Sequence, residues 1–178
     1  MTRQELRQAL VWTVRYGLTA LLGFYFGIAM GHGLHSPSAS IGALWCAIAG
    51  MTTLQTTAEE TWSATRAQLL GTFTGAVIAA VYLSLLPFSA GGLALCVAAT
   101  VLVCRLSRYA DNGRQAAVNV AVIMVISSLH PDLNAFANSA LRFAEACVGT
   151  AIALLMTHLS NSRQYLHLWR ARRRGRRE

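Results

Sequence analysis

Lysine is absent from this sequence of 178 residues, and acidic residues number only seven. Charged residues make up 12% of the chain, about half of what a soluble globular domain carries. So little charge cannot clothe a water-facing surface, which excludes an ordinary soluble domain, and the richness in apolar residues excludes a disordered chain. Proline occurs only three times and glycine follows no triplet period, which excludes a collagen-like chain; the composition also excludes a coiled coil. The four cysteines, Cys46, Cys96, Cys104 and Cys147, show no paired spacing and no C-x-x-C. They read as small lipid-buried side chains and not as a disulfide framework or a metal site. Enzyme signatures are missing too. Gly71 to Gly75 lacks the lysine and the loop setting of a phosphate cradle, and there is no H-E-x-x-H or G-x-S-x-G. Catalysis and a bound cofactor or metal are therefore not expected.

What the chain has instead is 54% hydrophobic residues, and lipid is the solvent that this composition suits. Apolar runs bounded by breakers fall at Leu10 to Met30, Ile41 to Leu54, Ala67 to Leu86, Gly91 to Cys104, Ala116 to Leu129 and Leu141 to Leu159. The first, third and sixth approach the ~20 residues of a spanning helix, while the others need polar flanks to reach across. The first run reads as a retained span, because Arg15 interrupts it and no clean small-residue cleavage site follows. Turn chemistry at Ser36-Pro37-Ser38, Pro87 to Gly92, Asp111-Asn112-Gly113 and Pro131-Asp132 separates the runs. No linker is long enough for a second domain.

Arginine sorts across these runs as the excess of positive charge on cytoplasmic loops requires. Arg3, Arg7, Arg66, Arg105, Arg108, Arg114, Arg163 and the Arg170 to Arg177 cluster share one side, and the three opposite loops contain none. The expectation is an all-α integral membrane protein with six transmembrane helices and both termini cytoplasmic. Residues 1–162 form the membrane domain and 163–178 a basic cytoplasmic tail. That tail, behind Trp169, suits anionic lipid and not nucleic acid, since anchoring already accounts for its charge. Trp12, Trp45, Trp62, Trp169, Tyr109 and Tyr165 fall mostly near span ends, as an aromatic belt does.

Small residues recur at helical spacing: Gly23, Gly27 and Gly31; Gly42, Cys46 and Gly50; Gly71 and Gly75. In lipid such ladders let helix backbones approach closely, so Gly23, Gly27, Gly71, Thr72, Gly75 and Gly149 are expected at packing seams. The third and sixth runs share a plan. Ser63 to Arg66 leads into Gly71-Thr72, and Ser139 to Arg142 leads into Gly149-Thr150, with a difference of two residues in the Arg-to-Gly spacing. The two runs point in opposite directions across the membrane, as in two inverted three-helix halves, an arrangement that marks a transporter's central site.

Ionisable groups inside a span are costly and therefore candidates for function. Arg15, Arg142 and Glu145 qualify, with Arg66 nearer the interface. Guanidinium groups facing a protected cavity would bind an organic anion, because arginine grips a carboxylate bidentately and keeps its charge when desolvated. Arg15, Arg66 and Arg142 are thus candidate substrate contacts and Glu145 a candidate proton carrier. The bland alternatives are snorkelling of Arg15, interfacial anchoring by Arg66 and a neutralising i,i+3 pair of Arg142 with Glu145. His32, His35 and His130 are weaker candidates for a metal or pH-sensing cluster.

Arg15 early in the first helix, Trp45-Cys46-Ala47 in the second, and Thr65-Arg66 followed by Gly71-Thr72 and Gly75 in the third come in a recognisable order. The sequence resembles the fusaric acid resistance family, also called the aromatic acid exporter family, and Arg142 with Gly149-Thr150 looks like its second-half counterpart. The resemblance implies proton-driven export of aromatic carboxylates across a bacterial inner membrane, often with a periplasmic adaptor protein as partner. Plant malate channels look distantly similar. Unlike the larger members, this chain has one six-helix unit and no sizeable cytosolic domain after it, which implies a homodimer. A passive anion channel and a non-transporting membrane scaffold or subunit are the competing readings.

Overall fold

The computed structural model describes residues 2–34, 36–107 and 113–174, with side chains described through Ser160, Ser36 excepted. Among them the chain forms six α-helices and a short 3₁₀ turn: α1 Arg3–Leu34, the turn Ser36–Ser38, α2 Ala39–Thr53, α3 Ala58–Leu85, α4 Ala90–Leu106, α5 Gly113–Leu129 and α6 Ala135–Arg174. The helices outrun the apolar runs because polar flanks carry their own start signals. Thr2 and Glu5 cap the first turn of α1 reciprocally, through Glu5 N–H to Thr2 Oγ1 at 3.2 Å and Thr2 N–H to Glu5 Oε2 at 2.8 Å. Thr57 and Glu60 form the same capping box on α3. At α4 the Ser89 hydroxyl accepts the Gly92 N–H at 3.0 Å, and the Tyr82 hydroxyl lies 3.2 Å from it while its ring covers Gly92. Helix α6 runs without a break past residue 162 to Arg174, so the backbone shows no joint between a membrane portion and a tail. The side chains of the basic tail, together with His35, Arg108, Tyr109 and Asp111, lie outside the described residues.

Helices α1, α3 and the Ala135–Ser160 part of α6 are long and apolar enough to cross a membrane by length and composition. Helices α2, α4 and α5 are apolar but shorter; the 15 residues of α2 rise about 22 Å. The distribution of side chains reverses that of a soluble protein. Leu10, Leu21, Phe26, Leu102 and Leu155 stand more than half exposed, whereas Arg142, Glu145, Asn119 and Asn138 are fully buried. An apolar exterior with charged and amide groups turned inward suits a membrane protein.

Helices α3 and α6 cross antiparallel at the centre, with Thr61 beside Thr157 and Phe73 edge-on to Phe143 at 5.9 Å. Helix α2 packs on α6 as α5 packs on α3, and α1 flanks α6 as α4 flanks α3. Each third helix therefore docks on the second helix of the other half. The correspondence extends to atoms. A Cβ added to Gly149 would strike the Cys46 carbonyl oxygen and lie 3.0 Å from Gly50 N and 3.1 Å from Ala49 Cβ. A Cβ added to Gly75 would lie 2.8 Å from the Ala116 carbonyl oxygen, 2.9 Å from Val120 N and 3.2 Å from Asn119 Cβ. Both glycines sit on one turn of the facing helix through the same backbone groups.

This contact corrects the register read from the sequence. Gly149 corresponds to Gly75 and not to Gly71, so Gln68, seven residues before Gly75, stands where Arg142 stands, seven before Gly149. Arg66 corresponds to Ala140. Seven residues are about two helical turns and return to the same face, whereas the nine from Arg66 to Gly75 are about two and a half and lead to the opposite one.

Candidate functional site

Small residues let α1 and α2 come together first. Gly23, Gly27 and Gly31 press on Ala47, Ala43 and Ala39, close enough that a Cβ on each would approach the facing Cα to 2.8, 2.6 and 2.6 Å. Helix α2 then offers its other small residues, Gly42, Cys46 and Gly50, to α6. At the Ser38 end of this seam the Arg142 guanidinium donates from Nη2 to Ser38 Oγ at 3.2 Å, and its Nη1 lies 2.8 Å from Glu145 Oε2. Both side chains are fully buried. The pair is ionic without aligned hydrogen bonds: Arg142 Nε and Nη1 donate none, and neither Glu145 oxygen accepts one. The carboxylate rests in the space left by Gly42, whose Cβ would overlap Glu145 Oε1. Two charges taken out of water with donors and acceptors unused are poor structural cement.

A second polar cluster lies at the other end of the same seam. Arg15 on α1, only 7% exposed, donates from Nη2 to Thr157 Oγ1 of α6 at 3.0 Å and to the Gln55 carbonyl at 3.2 Å. Thr157 Oγ1 lies 3.2 Å from Thr61 Oγ1, which joins α3 to the cluster. The Trp12 ring lies under the Arg15 guanidinium, 4.8 Å from centroid to Cζ. Among the described residues no carboxylate pairs with Arg15, and its Nε lacks a partner. Fifteen residues of α6 separate Arg142 from Thr157, about 22 Å along the axis. Between them α6 lies backbone to backbone on α2 at Gly149 and Gly50.

The corresponding junction of α3, α4 and α5 is different in kind, an apolar cluster of Ala76, Ala79, Cys96, Val120, Ile123 and Met124. The related packing is thus kept on both sides, and among the described residues the buried charges, Arg15, Arg142 and Glu145, lie on the α1, α2 and α6 side.

Arg66 is not brought to either cluster. It is exposed on α3 with its guanidinium 5.3 Å from the Trp62 ring centroid. Gly71 is buried in the α3 seam, and Thr72 beside it turns its hydroxyl back to the Gln68 carbonyl at 2.7 Å. Among the described residues no three His, Cys, Asp or Glu side chains gather as metal ligands. Reading the sequence missed Ser38, Thr61 and Thr157, which complete the two arginine sites. Their one signal was a hydroxyl in an apolar setting, which membrane helices offer in many places.

The sequence model of the fusaric acid resistance protein-like family matches residues 18–156. The match covers most of the chain and part or all of every helix, so the chain belongs to this family, a family of membrane transport and efflux proteins and not of enzymes. Arg142 and Glu145 lie inside the matched stretch, while Arg15 and Thr157 lie just beyond its ends. No curated protein and no solved structure matches the chain.

Proposed function

We propose that this member of the fusaric acid resistance protein-like family carries small organic anions, aromatic carboxylates foremost, out of the cell across the bacterial inner membrane in a proton-coupled cycle. In this reading all six helices span the bilayer as two inverted three-helix halves with both termini cytoplasmic, consistent with the arginine-free loops on the opposite side. The observation that carries the proposal is Arg15, a buried guanidinium that pairs with no carboxylate among the described residues, at the far end of the seam from the Arg142–Glu145 pair. A desolvated cation lacking a counter-ion is a standing site for an anion. A substrate carboxylate is received at Arg15 with the hydroxyls of Thr157 and Thr61, then handed to Arg142 when α2 and α6 part at Gly149. Trp12 offers an aromatic surface beside the first site. Arg66 takes no part in the handover and anchors α3 at the interface with Trp62.

The chain supplies one six-helix unit, and two copies make the working transporter. Chemical crosslinking in native membranes together with the mass of the detergent-solubilised particle tests that assembly.

Transport is tested with the purified chain in liposomes, following radiolabelled benzoate and hydroxybenzoates. Protein-dependent, saturable flux that Arg15→Gln and Arg142→Gln each reduce at least tenfold supports the proposal. Flux equal to that of protein-free liposomes leaves a scaffold. Single-channel currents in planar bilayers that persist in Glu145→Gln make the protein a channel.

A further inference from the structure

Helices α1 and α2 form a hairpin that is tight within itself. Three successive turns of α1 lie on α2, Gly23 on Ala47, Gly27 on Ala43 and Gly31 on Ala39, each at backbone distance. Contact this close, repeated along most of α2, holds the two helices in one relative position. Beyond the hairpin and its turn, α1 touches only α6, and α2 touches α6 and, more lightly, α3. Among the described residues neither helix touches α4 or α5. The chain passes from the hairpin to the rest of the fold through one short link, Leu54 to Thr57, which runs directly into the capping box of α3.

The seam between this hairpin and α6 is built differently from the one that joins α4 and α5 to α3. The latter interlocks the side chains of Ala76, Ala79, Cys96, Val120, Ile123 and Met124. The former has backbone contact around Gly149 and polar contacts at its two ends, Arg142 with Ser38 and Arg15 with Thr157. Where a seam opens to water, polar contacts exchange one hydrogen-bond partner for another, whereas parted apolar side chains lose their burial. The hairpin side is therefore the one that opens at low cost.

The link has the features of a hinge tied to the Arg15 site. Leu54 is extended, with φ −67° and ψ 117°. The Gln55 N–H donates to Thr61 Oγ1 at 3.1 Å, which fixes the link to the first turns of α3. Arg15 Nη2 then bridges from the hairpin to both of its neighbours, donating to the Gln55 carbonyl at 3.2 Å and to Thr157 Oγ1 of α6 at 3.0 Å. An anion on Arg15 competes with these two neutral acceptors for the same donor, and a charged acceptor makes the stronger bond.

Building on the transport reading above, we infer that the α1–α2 hairpin is the moving element of this protein. It swings as one body about Leu54 to Thr57 against a fixed frame of α3 to α6, and an anion on Arg15 releases it. The swing parts α2 from α6 at Gly149 and opens the Ser38 end, where Arg142 becomes accessible. Because the hinge lies beyond the Thr53 end of α2, the Ser38 end moves most; a tilt of about 10° over a 15-residue helix carries it about 4 Å. The two halves, alike in helix order, thus differ in what they do: the α4–α5 hairpin stays with the frame.

Distances between paired spin labels, read by pulsed electron spin resonance on the full chain in lipid nanodiscs, test this. Labels carried on non-natural residues leave the native cysteines in place, and labelled protein is diluted with unlabelled protein. All labelled positions are exposed leucines. Leu34 of α1 with Leu129 of α5 reads the Ser38 end of the hairpin against the frame, Leu21 with Leu44 reads α1 against α2, and Leu102 of α4 with Leu155 of α6 reads the second hairpin. Benzoate is expected to raise at least threefold a Leu34–Leu129 population displaced by about 4 Å, while the other two distributions stay unmoved. In Arg15→Gln the response to benzoate is expected to vanish, and a response retained there overturns release by Arg15. A Leu21–Leu44 distance that changes with benzoate overturns the single body, and an equal change at Leu102–Leu155 overturns the fixed frame. A Leu34–Leu129 distribution unmoved by benzoate, in protein that carries benzoate across liposomes, overturns the moving hairpin while transport stands. Hairpin movement without protein-dependent flux upholds the hairpin and overturns the transport reading, and neither movement nor flux overturns both. The wild-type distances decide the matter even where Arg15→Gln fails to fold.

Discussion

The carboxylate of Glu145 fills the space that a side chain at Gly42 would occupy, with the Arg142 Nη1 just beyond it, 3.2 Å from that same position. The ion pair is thus set by the missing side chain on the neighbouring helix as much as by the spacing of its two members on α6. Charge placed between helices in this way is tied to how tightly the seam closes.

Gly42→Ala tests that tie. The added methyl cannot coexist with Glu145 in its present rotamer, so the pair must open or α2 must move. A loss of about 2–4 kcal/mol in unfolding free energy is expected, and transport falls with it. Thermal denaturation in detergent beside liposome flux measures both; an unchanged melting temperature would show that the carboxylate has room elsewhere.

Glycines on the seams and off them should behave oppositely. Gly149→Ala and Gly75→Ala push a methyl into a facing carbonyl and are expected to cost about 1–3 kcal/mol each. Gly17→Ala meets nothing within 4 Å and should be neutral or stabilising by up to about 1 kcal/mol through helix propensity. A ranking by melting temperature in which Gly17→Ala is the worst of the three contradicts the packing.

Removing one member of the Arg142–Glu145 pair leaves the other buried and alone. Arg142→Leu or Glu145→Leu is expected to destabilise the fold by about 3–5 kcal/mol, whereas the double Leu variant should recover most of that loss and still carry no anion. A double-mutant cycle on unfolding free energies reads the coupling directly. Stability without flux in the double variant would separate folding from function at this pair.

At the other end of the seam, Thr157→Val removes one acceptor from Arg15 and keeps the shape of the side chain. A rise of about tenfold in KM for a carboxylate substrate is expected together with a lower melting temperature, since the bond lost is one to a buried charged group and such a bond is worth about 1.5–3 kcal/mol. Arg66→Ala should change KM by less than about twofold, because that guanidinium is exposed on Trp62 and the aromatic contact is worth only about 0.5–1 kcal/mol.

The helices could be read from the sequence because breakers and apolar runs mark them in any solvent. Their ends could not, because Thr2 with Glu5 and Thr57 with Glu60 extend α1 and α3 through polar stretches that a search for apolar runs discards. Arg15, Arg142 and Glu145 stood out as charges inside apolar helices. Their companions did not: Thr157 lies 142 residues from Arg15 and Ser38 lies 104 from Arg142, so only the fold brings them together. The arginine match misled for a simpler reason. Matching Arg66 to Arg142 aligns residue types, whereas facing is decided by the distance to the packing glycine, and that distance places Gln68 and not Arg66 on the seam.

The docking of α6 on α2 has a bearing on how the chain is made. Helix α2 leaves the ribosome early and already holds α1, yet its remaining small-residue face waits for the last helix to be translated. Until then the side of α2 at Gly42, and the Cys46 and Gly50 backbone that meets Gly149, lack their α6 cover, although α1 already lies against Cys46 and Gly50 through Gly27 and Thr19. A nascent chain stalled after α5 is thus a half-closed assembly, with the α6-facing side of α2 still uncovered.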